Sequence, residues 1–269
     1  MKIAVYVGKD EAGTDSRVRE MLGRLEDAGI AFYYIQGGQI PDCGTDMLMS
    51  VGGDGTFLTA SMMVARLGIP VVGVNLGRLG FLSENRPEDV AAALLAGDYS
   101  VEERALLKAV LKDGQQDECY ALNEITVHRS GAAMLAVDVT IDGVTLPAYW
   151  ADGLIISTSS GSTAYSLSAG GPIVLPASKV LIMTPIAPHN LNVRPLVVPD
   201  SARISLKVHS RDNDVIFTAD NRSMRIEEGS ELEISLAQFS LKRVRLNKSD
   251  FINALTEKLY WGEDVRNIK

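Results

Sequence analysis

Residues 47–68 read MLMSVGGDGTFLTASMMVARLG. The apolar run Met47 to Val51 has the length of a buried strand, Gly52 to Gly55 form a glycine-rich turn, and Phe57 to Leu67 carry a helix that Gly68 closes. Strand, turn and helix in that order make the βα unit of a parallel sheet. The flanking segments repeat the unit. Ile3 to Val7 is an apolar run, after which Val18, Met21, Leu22 and Leu25 recur at helical spacing and Gly29 stops them. Phe32 to Ile35 and Pro70 to Val74 read as further strands, and Pro87 opens a helix that Gly97 ends. This alternation predicts an α/β domain over residues 1–97, with a mostly parallel sheet and helices on both faces. Ligands of such sheets bind outside the carboxyl ends of the strands, which puts Gly52 and Asn75 at the ligand edge.

Beyond Tyr99 the period changes to two. Leu135, Val137, Val139 and Ile141 alternate with Ala136, Asp138, Thr140 and Asp142, and Ile204, Leu206, Val208 and Leu232, Ile234, Leu236 repeat the pattern. Asp142-Gly143 and Glu228-Gly229 are turn signals between such runs. An antiparallel, β-rich domain is therefore expected over residues 98–248. Helical spacing returns with Phe251, Ile252, Leu255 and Leu259, N-capped by Ser249, so a closing helix over 249–260 is expected to pack on the first domain.

At about 150 residues per domain, 269 residues fit one large or two ordinary domains. A composition of 46% hydrophobic and 22% charged residues builds a core without disulfides or metals. A net charge of −8 with no run of Lys and Arg excludes the electrostatic footprint of a nucleic-acid binder. Cys43 and Cys119 stand 76 positions apart, which suits a reducing compartment and neither a zinc site nor a disulfide framework. The start MKIAVYVG runs at once into Lys9 and Asp10, unlike a signal peptide, and no apolar run reaches the roughly 18 residues of a membrane span. These features predict a soluble cytoplasmic protein without a membrane partner.

The glycines of Gly52-Gly53-Asp54-Gly55-Thr56 allow a phosphate to approach the backbone at a helix N-terminus. A Walker loop would carry Lys here. The ionisable residue is instead Asp54, a candidate general base or metal contact, whose bland alternative is an acid supporting the helix dipole. A second cluster, Gly161 to Gly171, combines short hydroxyls with Tyr165 as a stacking face and suits a nucleoside, against the alternative of a plain polar loop. Asn123-Glu124 and Asp152 offer an amide and two carboxylates for base or ribose hydroxyls, or are solvated strand ends. His128, His189 and His209 lack metal-ligand spacing and read as surface or core histidines.

Taken together, GGDGT at 52–56, NLGRLGFL at 75–82, LNE at 122–124, ADGLIIST at 151–158, GSTAYSLSAGGP at 161–172 and MTPIAPHNLNVRPLVV at 183–198 resemble the NAD kinases, which phosphorylate NAD to NADP. GGDGT by itself also resembles diacylglycerol kinases and phosphofructokinases; the serine-glycine run and the Asn-Glu pair point to NAD kinases. The resemblance implies an N-terminal α/β domain that handles the phosphate donor, a C-terminal β-sandwich that binds NAD, and a closing helix. It implies Asp54 as the general base at the 2′-hydroxyl of the adenosine ribose, with Gly52, Gly53, Gly55 and Thr56 shaping the phosphate pocket. Phe81, Asn123, Thr163, Ala164, Tyr165 and Ser168 would surround the adenosine, within a binding run that includes Ser166 and Leu167. Glu124 and Asp152 would face the nicotinamide ribose, and Ala187 would come from a neighbouring subunit of a homodimer or homotetramer. ATP, or in some members inorganic polyphosphate, would be the donor, with Mg2+ spreading its charge.

Two departures from the family pattern stand out. Asp220-Asn221-Arg222 replaces Asp-Gly-Gln, so that Arg222 either offers a cation to a phosphate or is a solvated arginine in a turn between Phe217 and Ile226, and Thr158-Ser159-Ser160-Gly161 replaces Thr-Pro-Thr-Gly, losing a proline that would stiffen the loop. A lipid or sugar kinase sharing GGDGT is the alternative enzyme, and a non-catalytic dinucleotide sensor the alternative of another class. The first would need an apolar or sugar-specific pocket; the second has no use for Asp54.

Overall fold

The structure, a computed structural model, describes residues 1–8, 15–77, 80–112, 118–212, 214–247 and 251–259. The chain divides into two compact units, Met1–Glu103 with Leu241–Lys269, and Arg104–Ser240.

The first unit is built on a six-stranded sheet in the order Ala31–Ile35, Lys2–Val7, Met47–Val51, Val71–Val74, Leu241–Leu246, Tyr99–Arg104. The pairings of the first five strands are parallel, with Ile3 opposite Met47 and Leu48 opposite Val71. Met47–Val51 and Val71–Val74 are buried at every position, as strands covered on both faces must be. Helix Ser16–Asp27 starts at Asp15, whose carboxylate accepts the Arg17 amide at 2.9 Å, and buries Val18, Met21, Leu22 and Leu25 against that sheet. The helix after the glycine turn begins at Asp54, three residues before the expected Phe57, because Gly53 is its cap; it runs to Val64, and a short 3-10 turn Ala65–Leu67 ends at Gly68. Helix Pro87–Ala96 has the expected proline start and Gly97 stop.

Two strands differ from expectation. Tyr99–Arg104 and Leu241–Leu246 were both expected in the β-rich domain, yet they complete the first unit's sheet. Alternation identifies a strand but says nothing about its partner. In the closing helix Phe251–Leu259 the buried residues are Ala254 and Leu255, and Ile252, expected on the same face, is 54% exposed. Ser249, expected as its cap, lies outside the described residues.

The second unit is a sandwich of two six-stranded sheets. One runs Val144–Ala151, Leu135–Ile141, Ile204–His209, Glu231–Leu236, Leu107–Leu111, Glu118–Ala121; the other runs Leu196–Pro199, Val180–Ile186, Gly153–Thr158, Glu124–Arg129, Asp214–Ala219, Arg222–Glu227. Every pairing in both is antiparallel. Leu135, Val137, Val139, Ile204 and Leu206 of one sheet share a core with Ile125, Val127, Leu154, Ile156 and Phe217 of the other. Asp142 and Gly143 form the expected hairpin turn with φ of 49° and 84°.

Candidate functional site

The sequence-derived residues gather into two constellations, one in each unit. In the first, the strand Met47–Val51 ends at Gly52, which takes φ 150°, and the helix starts two residues later with Asp54 in its first turn. Thr56 is wedged between Gly8 and Gly52, where a side chain on either glycine would collide with it, so Thr56 serves packing. Gly53 and Gly55 are exposed, and a Cβ on either would meet nothing within 4 Å.

The Asp54 carboxylate accepts three backbone amides. Phe81 N–H donates to Oδ2 at 2.9 Å, and Leu82 and Ser83 N–H donate to Oδ1 at 3.2 and 2.8 Å. Gly80 makes this wrap possible, since a Cβ there would run into the carboxylate. The loop is tied to the sheet by Ser83 Oγ, which donates to the Gly52 carbonyl at 2.7 Å, and by Asn75 Nδ2, which donates to the Ser83 carbonyl at 3.1 Å. Phe81 is half-buried; its ring centroid lies 6.1 Å from that of Phe251, and the Lys258 ammonium sits 4.9 Å above it while donating to the Gly80 carbonyl.

In the second unit the buried strand Gly153–Thr158 leads into the turn Ser160–Thr163 and the short helix Tyr165–Ser168. The run sorts itself by facing. Ser162 and Ser166 are buried, Ser162 bonding to Ser159 and Val174 and Ser166 to the Thr184 hydroxyl at 2.8 Å, so these hydroxyls serve the fold. Thr163, Ala164 and Leu167 are half-buried, and Tyr165 and Ser168 are exposed. Ser159, which stands where the pattern Thr-Pro-Thr-Gly has proline, donates to the Pro176 carbonyl at 2.9 Å and so fastens the loop by a bond proline lacks.

Beside this run, Asn123 and Glu124 are 7% and 9% exposed, and Asn123 Oδ1, Glu124 Oε2 and the facing Ser157 Oγ have no hydrogen-bond partner. Buried orphans of this kind call for a ligand or water. Asp220, at φ 51°, holds the segment in place: its carboxylate accepts the amides of Leu122 and Asn123 at 2.8 Å and of Glu124 at 3.2 Å. Burial pushes both acids up, but Asp220 has three amides and the nearby Arg222 to hold its charge. Glu124, buried beside that charge with only the Tyr165 amide opposing, rises to about 8 and carries the proton at neutral pH.

Two residues went unrecognised in the sequence. His128 stacks on Tyr165 with ring centroids 5.6 Å apart and planes 13° apart, and burial lowers its pKa. Arg129 clamps Asp152 with both Nε and Nη2, at 2.8 and 3.2 Å. Both lie at the end of the strand Glu124–Arg129, and their partners come from beyond either end of the neighbouring strand Gly153–Thr158, Asp152 just before it and Tyr165 on the short helix after it. Arg222 is exposed and donates from Nη2 to the Tyr120 carbonyl. Ala187 is exposed at φ 44°. Among the described residues no group of three His, Cys, Asp or Glu side chains is placed to hold a metal ion, and no helix is long and apolar enough to cross a membrane.

Comparison with known proteins points the same way for both units. Residues 36–97 match the model of the ATP-NAD kinase N-terminal domain and residues 122–246 that of its C-terminal domain. A protein of Flavobacterium psychrophilum named NAD kinase is 44% identical over 229 residues, covering 82% of this chain and 78% of its own. One from Porphyromonas gingivalis, also named NAD kinase, is 37% identical and covers 98% of this chain and 99% of its own. Among solved structures, yeast NADH kinase complexed with NADH superposes with a TM-score of 0.84 at 28% identity, over 99% of this chain and 90% of its own. An NAD kinase from Archaeoglobus fulgidus in complex with ATP does so with a TM-score of 0.77 at 29% identity, over 97% and 99%.

Proposed function

The chain belongs to the NAD kinase family of phosphotransferases, and from that premise we propose that it moves the γ-phosphoryl group of ATP to the 2′-hydroxyl of the adenosine ribose of NAD, with Asp54 as general base. The observation that carries this reading is the pinned carboxylate. Oδ1 of Asp54 accepts two amides and Oδ2 only one, which leaves an acceptor position on Oδ2 for the hydroxyl proton. As the ribose oxygen bonds to the γ-phosphorus, the bond from phosphorus to the β–γ bridging oxygen breaks, ADP departs, and the proton passes to Oδ2. General base catalysis of this kind contributes about two to four orders of magnitude, and positioning supplies much of the rest.

The open space at Gly53 and Gly55 suits the donor phosphates. Gly55 lies in the first turn of the helix, where glycine costs about 1 kcal/mol relative to alanine, and no described neighbour within 4 Å requires glycine there; room for a polyanion approaching the positive helix end supplies a reason. Mg2+ fits as a companion of those phosphates: the loop offers the single carboxylate Asp54, with no protein cage among the described residues, and the ion, when bound, would spread the charge of the triphosphate.

Recognition of the dinucleotide falls to the second unit. Asn123 Oδ1 and Ser157 Oγ offer unused hydrogen-bonding capacity, and protonated Glu124 can both donate to and accept from a ribose hydroxyl. Tyr165, backed by neutral His128, presents a stacking face, with Thr163, Ala164 and Ser168 beside it. The ligands named for the two solved relatives, NADH and ATP, support this pair of substrates. Ala187 sits on an exposed turn suited to a contact with a second copy, and we place the enzyme in the cytoplasm as a homo-oligomer, consistent with two free cysteines. Sedimentation of the active protein as a monomer would contradict the oligomer.

Incubation with ATP, magnesium and NAD should yield NADP, and parallel reactions with inorganic polyphosphate or NADH sort the donor and acceptor preferences. A folded protein that binds NAD and makes no NADP with either donor contradicts the reading.

A further inference from the structure

Arg243 lies on the strand Leu241–Leu246, is 4% exposed, and gathers four partners on the underside of the loop that holds Asp54. Its Nη1 pairs with Glu102 at 2.8 Å; its Nη2 pairs with Glu84 at 2.5 Å and donates to the carbonyls of Leu82 at 3.2 Å and Phe81 at 3.5 Å. Its Nε is buried without a partner. A buried arginine with two carboxylates and an orphaned donor is a poor stabiliser: desolvation offsets most of the attraction, and apolar replacements of such groups are often neutral or better. Positioning gives such a cluster a purpose that stability does not.

The peptide geometry supplies it. In a trans peptide the C=O of one residue and the N–H of the next point in opposite directions across one rigid plane, and this chain has no cis peptide among the described residues. The Phe81 carbonyl meets Arg243 while the Leu82 amide of the same plane meets Asp54. The Leu82 carbonyl and Ser83 amide repeat the arrangement in the next plane. Two consecutive peptide planes are thus held between a guanidinium below and a carboxylate above. Glu84 and Glu102 more than offset the guanidinium charge, so Arg243 brings no net positive charge to Asp54 and acts on it through the orientation of the two peptide planes.

We infer that Arg243 is a positioning residue for phosphoryl transfer, fixing the peptide planes of Phe81–Ser83 whose amides aim the Asp54 carboxylate. The inference rests on Asp54 being the general base. Lys258, donating to the Gly80 carbonyl, braces the start of the same loop, so that the C-terminal strand and helix together carry the support.

Arg243→Lys keeps the charge and loses the fork. The expected result is a kcat lower by about tenfold to a hundredfold, the scale of a small misplacement of a reacting group, with a smaller change in the KM for NAD, because the contacts proposed for Asn123, Glu124 and Tyr165 are untouched and only Phe81 lies on the loop that moves. Amide exchange at Leu82 and Ser83 should accelerate relative to the neighbouring strand Val71–Val74. In an Asp54→Asn background the Arg243→Lys change should add no further loss, since its route to the chemistry is gone. A folded Arg243→Lys enzyme with kcat within about twofold of the parent overturns the inference, as does an equal loss in both backgrounds. Where Arg243→Lys does not fold, Glu84→Gln is measured in the same way, and unchanged kcat together with unchanged exchange at Leu82 and Ser83 overturns it. Normal turnover of Asp54→Asn alone removes the general-base reading instead, and the exchange of Leu82 and Ser83 in Arg243→Lys still decides whether Arg243 sets the loop.

Discussion

The acids of the two units are treated in opposite ways. Asp54, in the first turn of its helix, is met by three amides from a loop whose own carbonyls are tied down from below. Glu124 is buried with Oε2 unpartnered, next to an Asn123 whose Oδ1 is also unpartnered. The first arrangement is finished before any substrate arrives, which is what a group that must act in one geometry requires. The second is unfinished, with buried polar atoms at a cost that a bound ligand relieves. A reacting group is preorganised; binding groups are left to be completed.

The sharpest way to break this contrast is Asp54→Asn. Turnover should fall by about two to four orders of magnitude, the range of general base catalysis, while NAD affinity measured by calorimetry stays near the parent value. The amide also sets an N–H against one of the three backbone donors, so hydrogen exchange should show the Phe81–Ser83 loop loosened. Near-normal turnover in a folded variant sinks the base assignment.

Asn123→Ala tests the unfinished side. Loss of a buried hydrogen-bonding group costs about 1–3 kcal/mol when its partner is present, so NAD should dissociate about 5–150 times more readily. Without ligand the thermal midpoint should change little, because Oδ1 has no partner to lose. A large drop in apo stability with unchanged NAD affinity would make Asn123 structural.

Glu124→Gln separates charge from shape. The folded protein holds the Glu124 pKa at about 8, above the ordinary carboxyl value of 4.5. A raised folded pKa gives stability that is complete below about 4.5 and is lost as pH rises through about 8, by an amount on the order of a few kcal/mol. The parent should therefore lose thermal stability between these values more steeply than Glu124→Gln. Parallel pH profiles of the two midpoints would show that Glu124 is ionised throughout.

The smallest effect is expected at Arg222. Its guanidinium already donates to the Tyr120 carbonyl from an exposed hairpin, so in Arg222→Gln the affinities for NADP and NAD should each stay within about twofold. A selective loss for NADP would restore the phosphate-binding role that the sequence suggested.

What could be read along the chain was whatever repeats within a few residues. Strand, glycine turn and helix at Met47–Leu67, the helical face Val18, Met21, Leu22, Leu25, and the alternation at Leu135–Ile141 all follow from local period and local turn chemistry. The site motifs were legible for the same reason, since GGDGT and the serine-glycine run are contiguous. Facing within that run was not: Ser162 and Ser166 look as available as Thr163 and Ser168 until the turn Ser160–Thr163 and the helix Tyr165–Ser168 turn two hydroxyls inward against Val174 and Thr184. Likewise His128 gains meaning only beside Tyr165, and Arg129 only beside Asp152.

By itself, then, the sequence determined the class of each half, the helices and first four strands of the first unit with a few strands of the second, and the residues able to carry the chemistry, because these depend on side-chain type and short-range spacing. Tertiary structure alone decided that Tyr99–Arg104 and Leu241–Leu246 join the first sheet, that the amides of Phe81–Ser83 converge on Asp54, and that Arg243 stands beneath them from 162 positions further along the chain. An unpaired strand carries open donors and acceptors on both edges, and its alternation is the same whichever sheet satisfies them. Which neighbour does so is settled by the burial and hydrogen bonding of the whole fold, terms that no window of consecutive residues contains.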